Sequence, residues 1–433
     1  MAKSVNELPE EILGMVFFEF VNQEVEPEQR LSLPFPRRLA GVCHLWKELV
    51  EENSELWSRI DVRFTPEERF PRAGKPIRDE IQRAKQSPLA LYIHGYRSRG
   101  YSPDPLTRDV LALYDLVKDH RWRALSIFNP GHLSSFQPIF RHMLDNPQMC
   151  RISFFQMGAV ELSYEASITH TLVQEALRQN LGITHLVVQA DLLEPSHPLL
   201  QVVPHLQLLQ TYNATTVLDC VKEATSLRSL RLSDIHGGLE RDDPTPTCTL
   251  PELERLDLRA CRQFPKLLIL KLDLPNIQSL VFKMVNCKVK EGDEQLKSLF
   301  WNVSWLRQIE SLTLEEVQIS EETLLFVLRR LPLLADLTLA SRARVSCRTT
   351  KTLSLPPEGR RGWLSPLLEV MRFGDCPRLS ESDVMALVEA RVRDVPSAAS
   401  TSTTTEDQPP PTRLRMVIWE GRDMVRRGVN LDG

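Results

Sequence analysis

The chain is short of glycine, with 17 in 433 residues against 30 prolines. No G-x-G-x-x-G, G-x-x-x-x-G-K-[ST], G-x-S-x-G or H-E-x-x-H occurs, so the loops that cradle phosphates, the nucleophile elbow and the two-histidine zinc helix are all missing. Cysteine is scarce as well: the 8 present are dispersed and no two form a C-x-x-C pair, which excludes a disulfide framework and the common zinc spacings. No long apolar run exists. The richest stretch, LLFVLRRLPLLADLTLA, is broken by Arg329, Arg330 and Asp336, short of the ~20 apolar residues a membrane helix needs. The opening MAKSVNELPEEILGMVFFEF places acidic residues where a signal peptide needs an apolar core. Neither sign of charge dominates, since 53 Lys and Arg oppose 57 Asp and Glu for a net −4; such a chain has no global attraction for nucleic acid or anionic lipid. These absences predict a cytoplasmic and/or nuclear protein with no nucleic-acid or membrane partner, no cofactor, no metal and no catalytic residue to nominate.

What is present is hydrophobic residue in ordinary globular amount, 42%, and a length that corresponds to two or three domains or one elongated array. Residues 1–62 read as a compact helical unit. Pro9 suits a first helical turn and Glu10 and Glu11 complement the positive end of the helix dipole. Ile12, Val16 and Phe20 follow at helical spacing with Leu13 and Phe17 beside them, giving one broad apolar face. Residues 22–36 read as a loop. A second helix is expected through Leu39, Val42, Cys43, Trp46, Leu49 and Val50, then a turn at Asn53–Trp57 and a short strand at Ile60–Val62. On periodicity alone the unit could equally be a helical cap on a larger domain.

LPEEIL, followed by LAGVCHLWKELVEENSELWSRI, resembles the F-box, especially the F-box-like form of large fungal families, with its Leu-Pro start, Val-Cys-x-x-Trp helix and Leu-Trp-x-x-Ile exit. The resemblance covers about 55 residues and rests on three separated elements in order. It implies a three-helix module that docks on a Skp-type adaptor and so joins a cullin–RING ubiquitin ligase. Carried over by position, Leu8, Pro9, Ile12 and Leu13 match the start that contacts the adaptor. Val42, Cys43, Trp46 and Trp57 match the later helices, which divide between module core and adaptor contact. The connection from Asn22 to Pro36 is longer than in compact F-boxes.

Residues 63–88 are polar and proline-punctuated, and read as a solvated connector with one short helix at Arg78–Lys85. From 89 to 433 a strand-sized phrase recurs. Leu89–Ile93, Leu125–Ile127 and Leu186–Val188 begin it, and seven clearer copies share an L-x-x-L-x-L frame starting at Leu227, Leu253, Ile277, Ile309, Leu334, Leu368 and Leu414. Their fourth positions, 230, 256, 280, 312, 337, 371 and 417, are spaced 26, 24, 32, 25, 34 and 46 residues apart; leucine-rich repeats run ~20–29, so three spacings fit and three need insertions. Helical phrases lie between the strands, with Ser320 an expected N-cap and Ser380–Asp383 an expected capping box. The expected fold is therefore α/β: a small N-terminal helical F-box-like module followed by an irregular leucine-rich-repeat-like α/β solenoid. Three residues beyond the frame, Cys261 and Cys376, with Ile235, Val285 and Val317 in other copies, resemble the buried Asn/Cys position of such repeats. A single doubly wound α/β domain is the alternative, though its strands should be more β-branched. Residues 395–412, rich in Ser, Thr and Pro, read as a disordered insertion.

Functional residues of a solenoid are expected on the concave sheet, alternating with the core leucines. Arg231, Arg255, Arg259, Lys283 and Arg372 lie there with Asp257, Glu315 and Asp336. The basic excess fits an acidic or phosphorylated target segment, since guanidinium forks suit carboxylate and phosphate; the same residues also read as a generic hydrophilic surface. Two functional readings follow. In one the chain is a non-enzymatic substrate receptor that holds an adaptor through the module and a target protein through the repeats. In the other it is a non-catalytic repeat scaffold whose module merely caps the open end of the sheet.

Overall fold

Glu10 and Glu11 start the first helix, α1 (Glu10–Asn22), and the amide of Leu13 closes its first turn on the carbonyl of Pro9 at 3.0 Å. A computed structural model describes residues 8–22, 35–65, 70–95, 104–128, 130, 132–158, 166–211, 214–235, 248–259, 269, 271–284, 288–340, 345–354, 364–374, 376, 378–392, 414–419 and 422–424. Cys261, Val285 and the Ser/Thr/Pro-rich segment 395–412 lie outside the described residues. The chain forms two compact units, Met1–Leu199 and Leu200–Gly433.

In the first unit Leu13, Phe17 and Val21 bury one face of α1 completely. The single second helix expected from Leu39 to Val50 is instead two, α2 (Phe35–Ala40) and α3 (His44–Glu52). The amides of Gly41 and Val42 turn back onto the carbonyls of Arg38 and Leu39 at 3.1 Å, and Cys43 is extended at φ −159°. That reversal ends α2 where periodicity alone would carry it on. A 3₁₀ turn at Ser54–Trp57 follows, opened by the Asn53 side chain accepting the amide of Glu55 at 3.1 Å. It delivers Trp57 into the core, where the indole N–H donates to the Val50 carbonyl at 2.7 Å and the Arg83 guanidinium covers the ring.

Strand β1 (Arg59–Arg63) pairs in parallel with β2 (Leu89–His94), Ile60 opposite Leu91. Between them the stretch expected as a connector holds a full helix, α4 (Phe70–Ala84). Ile77, Ile81 and Ala84 recur at i, i+4 and i+7 and are buried; this apolar stripe is narrow and is diluted in the sequence by Arg, Lys, Asp and Glu on the other faces. Residues 70–84 thus form the helix of a strand–helix–strand unit with β1 and β2. The sheet of this unit continues in parallel through β3 (Trp122–Phe128), β4 (Cys150–Gly158) and β5 (His185–Gln189), with α5 (Asp104–Val117), α6 (Gln137–Asp145) and α7 (Ala166–Gln179) between strands.

The second unit repeats the pattern. Its strands β6 (His205–Thr211), β7 (Ser229–Ile235), β9 (Arg255–Arg259), β11 (Ser279–Lys283), β12 (Ser311–Glu315), β13 (Asp336–Ala340), β14 (Val370–Gly374) and β15 (Met416–Trp419) lie in chain order and pair in parallel, with β16 (Arg422–Asp423) antiparallel at the edge. Two short strands, β8 (Cys248–Thr249) and β10 (Leu272–Asp273), pair apart from this sheet. Helices α8 (Ala214–Glu223), α9 (Val289–Asn302), α10 (Glu321–Leu328), α11 (Cys347–Ser354) and α12 (Glu381–Val392) return the chain. The frame is in register along the whole run: Leu230, Leu256, Leu280, Leu312, Leu337, Met371 and Val417 stand opposite one another and are each 0% exposed. A fully buried leucine contributes ~1.5–3 kcal/mol of apolar burial, and each can hide only because a neighbouring strand covers its flank. The fold is thus the leucine-rich-repeat-like α/β solenoid, with a small helical module at the start of its first unit.

The strand exits are also repetitive. Gln210, Asp234 and Glu316, each four residues beyond a buried leucine of the ladder, have φ of 39°, 54° and 55°, a left-handed kink that turns the chain out of the sheet. Ile235 and Val317, in the position after the kink, are buried. At the corresponding site of β14 the buried Cys376 thiol donates to the Gly374 carbonyl at 3.3 Å. The expected caps are present. Ser320 accepts the Thr323 amide at 3.3 Å, and Ser380 and Asp383 each take the other's backbone amide at 3.3 and 3.1 Å.

Candidate functional site

Two surfaces carry the residues that the sequence singles out. On the first, α1 is apolar nearly all round, but only half of it is used internally. Leu13, Phe17 and Val21 are buried, whereas Leu8, Ile12, Met15, Val16 and Phe20 are exposed, Met15 at 66% and Val16 at 50%. Pro9 is exposed at the head of the same helix, and Val42, in the turn between α2 and α3, is 60% exposed. Trp46 is half-buried, its ring centroid 4.6 Å from that of Phe17. Cys43 is half-buried and Trp57 wholly buried. The eight residues matched to the F-box thus separate: Leu8, Pro9, Ile12 and Val42 face out, Cys43 and Trp46 straddle, and Leu13 and Trp57 belong to the core. Met15, Val16 and Phe20 join the outward set; Val16 and Phe20 are legible in the sequence as part of the helix's apolar face but not as adaptor contacts, and Met15 is not singled out there at all.

A shallow groove of about 540 Å³ runs beside this face between α1 and α3. Met15, Phe18 and Leu49 supply apolar lining, and Glu10, Glu11, Glu19, Glu52 and Glu55 ring it with carboxylates. The helix itself is fixed from below. Arg59 on β1 has a buried guanidinium that donates to the Val21 carbonyl at the C-terminal end of α1 at 2.6 Å, bonds Asp61 at 3.0 Å and lies 4.3 Å from the centre of the Tyr92 ring on β2. A cation at that helix end is favourably placed against the dipole. Module and sheet of the first unit are therefore joined by buried charge-assisted contacts as well as by strand pairing.

The second surface is the sheet face of the second unit, opposite the frame leucines. Its central row reads Gln207, Arg231, Asp257, Val281, Thr313, Thr338 and Arg372 across successive strands. The six candidate target-binding residues do not form a bare basic patch. Asp257, 1% exposed, receives Arg231 Nε at 3.0 Å and Arg259 Nε at 2.9 Å. Arg231 also donates to Gln207 at 3.3 Å. Arg372 grips both oxygens of Asp336 at 2.6 Å, and Lys283 lies 3.5 Å from Glu316. Arg255 is exposed and makes no such pair among the described residues. The geometry explains the pairing. In-register parallel strands lie ~4.8 Å apart, so opposite charges at the same frame position in adjacent copies, as at Arg231 and Asp257, meet directly. What remains is a mixed-charge, hydrogen-bonded surface with few unspent cations.

Among the described residues of these two surfaces, the side chains named above are apolar anchors and charge pairs. Among the described residues no cluster of three or more His, Cys, Asp or Glu could hold a metal ion, and no helix is long and apolar enough to cross a membrane. Burial pushes the Cys150 and Cys248 thiols up to about 12 and about 11, which leaves them as neutral packing groups rather than nucleophiles.

No protein-family model matches the chain, and no curated protein matches it in sequence. Among solved structures it is similar to a chain in the Rad7–Elc1 complex of yeast, with a TM-score of 0.36 and 14% identity over 86% of this chain and 90% of that one. It is also similar to a chain in the TLR13–ssRNA13 complex, with a TM-score of 0.32 and 14% identity over 64% of this chain and 43% of that one. At such scores the fold rests on the strand register and the buried leucine ladder of this chain itself.

Proposed function

We propose that the chain is the substrate-recognition subunit of an SCF-type cullin–RING ubiquitin ligase, with the N-terminal module binding a Skp-type adaptor and the repeats holding a target protein. The carrying observation is the divided surface of α1. Leu8, Ile12, Met15, Val16 and Phe20 spend apolar area in water on a helix already fully packed by its other face, and contiguous exposed apolar surface of that kind marks an interaction site. It falls on the residues that resemble the adaptor-contacting start of the F-box, with Val42 added from the next turn. In this reading the chain performs no chemistry of its own; it raises the local concentration of target beside the ligase's catalytic subunits. The target is placed on the sheet face of the second unit, and its chemistry must suit alternating Arg–Asp pairs and the exposed Arg255 rather than a plain cationic surface.

The test is a titration of the full chain with a purified Skp-type adaptor, beside an Ile12→Asp/Val16→Asp variant. Both positions are exposed, so the variant keeps its fold. Central anchors of an interface contribute ~2 kcal/mol or more, so affinity should fall by roughly thirtyfold. A variant that binds as tightly as the parent sinks the placement of the adaptor, and a folded parent that does not bind at all sinks the ligase reading.

One observation favours a second reading, that of a repeat scaffold without ligase association. The module supplies β1, the edge strand of the first unit's sheet, and Arg59 ties α1 to it. A cap on an open sheet edge needs those contacts even if nothing docks outside. The adaptor titration separates the two, because a cap alone gives no binding.

A further inference from the structure

On the helical side of the second unit a tryptophan stands in water without any need of the core. Helix α9 already buries Leu296, Leu299 and Phe300, yet Trp301 is 66% exposed. Its ring lies parallel to that of Phe326 on α10, with centroids 6.2 Å apart and planes 12° from coincidence. The Arg330 guanidinium covers both, 4.5 Å from the centre of Trp301 and 5.2 Å from that of Phe326. Lys297 and Ser298, one helical turn before Trp301, complete the lining of a groove of about 430 Å³. Lys297, Arg329 and Arg330 make no ion pair with a carboxylate among the described residues, and Glu294 and Glu322 stand one turn back along each helix.

We propose that this aromatic and basic groove is a docking site for a short acidic protein segment carrying an aliphatic or aromatic anchor. The anchor packs against the open side of the Trp301–Phe326 pair, and flanking carboxylates meet Lys297, Arg329 and Arg330. Trp and Arg are the residue types over-represented where a few side chains dominate binding, and an acidic partner is selected by three cations that have no carboxylate partner among the described residues, on a chain whose net charge is −4. Single-stranded nucleic acid fits less well, because successive bases need successive free ring faces along a basic track. Here there is one stacked pair, and Arg330 lies over both of its rings. The site is independent of the adaptor reading and lies on a different surface from the sheet-face residues.

The test is selection of random dodecapeptides on the full-length chain, followed by titration of the winners against the parent, Trp301→Ala and Lys297→Glu/Arg330→Glu, with urea midpoints taken to show that each variant is folded. The expected winners carry Asp or Glu beside a Leu, Phe or similar anchor. Their affinity should fall roughly thirtyfold in Trp301→Ala, at least as much on charge reversal, and visibly with added salt. Neutral or basic winners, no winners, or winners that bind Trp301→Ala like the parent overturn the proposal. So does tighter, Trp301-dependent binding of a labelled oligouridylate, which would assign the groove to nucleic acid. A concentration-dependent dimer abolished by Trp301→Ala would likewise overturn it in favour of a second copy of the chain.

Discussion

Replacing Asp257 by alanine separates a sheet face that is held together by its own charges from one that merely displays them. Asp257 is 1% exposed, and its two oxygens take Arg231 Nε at 3.0 Å and Arg259 Nε at 2.9 and 3.1 Å. Removing one partner of a fully buried ion pair costs ~3–5 kcal/mol, most of it the desolvation of the charge left behind. The two arginine side chains here keep 27% and 26% of their exposure, so water recovers part of that loss. The expected cost is about 2–3 kcal/mol, in line with ~1.5–3 kcal/mol for a hydrogen bond to a charged group. For a unit of this size that corresponds to a fall in Tm of roughly 5–10 °C.

The assay is urea and thermal unfolding of the full chain, with the loss expected in the transition of the second unit. Arg231→Ala should cost less than Asp257→Ala, since Arg259 still partners the carboxylate, and the double variant should cost less than the sum of the two. Arg255→Ala, at an exposed site without an ion pair among the described residues, should stay within ~0.5 kcal/mol of the parent. An Asp257→Ala chain as stable as the parent would refute the reasoning outright, because it would mean that the guanidiniums rehydrate freely and the pairs carry no structural weight.

Two further perturbations follow from the same geometry. Gly292→Ala should destabilise the second unit by about 1–3 kcal/mol, because a Cβ on α9 at that point collides with the backbone carbonyl oxygen of Gln318, whereas Gly14→Ala on α1 meets nothing within 4 Å and should gain about 0.5–1 kcal/mol; urea midpoints of the two variants moving in the same direction would contradict this. Glu80 on α4 is 5% exposed, and burial, reinforced by Asp61 and Asp79 and opposed by Arg37 and Arg83, raises its pKa from 4.5 to about 7. The folded chain then binds the proton more tightly than the unfolded chain, so this group's contribution is intact below pH 4.5 and is lost as pH rises to about 7, by at most ~3 kcal/mol. Glu80→Gln should flatten that slope and stabilise the chain at neutral pH, and a variant whose stability still falls over the same interval would show that Glu80 is not its source.

Much of the repeat region is legible in the sequence for a physical reason. The L-x-x-L-x-L frame couples composition to register: once Leu230, Leu256, Leu280 and Leu312 must all be buried in parallel strands, neighbouring copies have little freedom to slip. The frame even contained the ion pairs, since Arg231 and Asp257 share its fifth position and Asp336 precedes Arg372 on the neighbouring copy by a diagonal step. Residues read one strand at a time look like a basic face; read across strands they are pairs. β6 (HLQLLQT) carries the frame as Val203-x-x-Leu206-x-Leu208, paired in register with Leu230 and Leu232 and buried, but with valine leading it and polar residues between it reads less plainly than its neighbours; β4 (CRISFFQMG) alternates polar with apolar residues and lacks leucine altogether. α4 is hidden because its buried apolar residues among those described, Ile77, Ile81 and Ala84, sit in a stretch otherwise full of charge, the buried Glu80 included. The Trp301–Phe326 pair joins two helices, and no periodicity within either helix announces it.

The helix α1 shows where the sequence runs out. Leu13, Phe17 and Val21 repeat at i, i+4 and i+8, and so do Ile12, Val16 and Phe20, one step of about 100° around the same helix. Hydropathy gives both rows equal claim to the core. What chooses between them is tertiary: Trp46 packs against Phe17, and Arg59 takes the carbonyl of Val21 from the far side of the module. The row that loses, headed by Leu8 and Pro9, is then left in water with Met15 and Val42. This division decides how a binding experiment must be read. A substitution at Leu13 removes core and weakens any interface by unfolding the helix that presents it, whereas one at Ile12 or Val16 removes only the outward row. Loss of adaptor binding therefore means contact when it follows from Ile12 and Val16, and means only folding when it follows from Leu13.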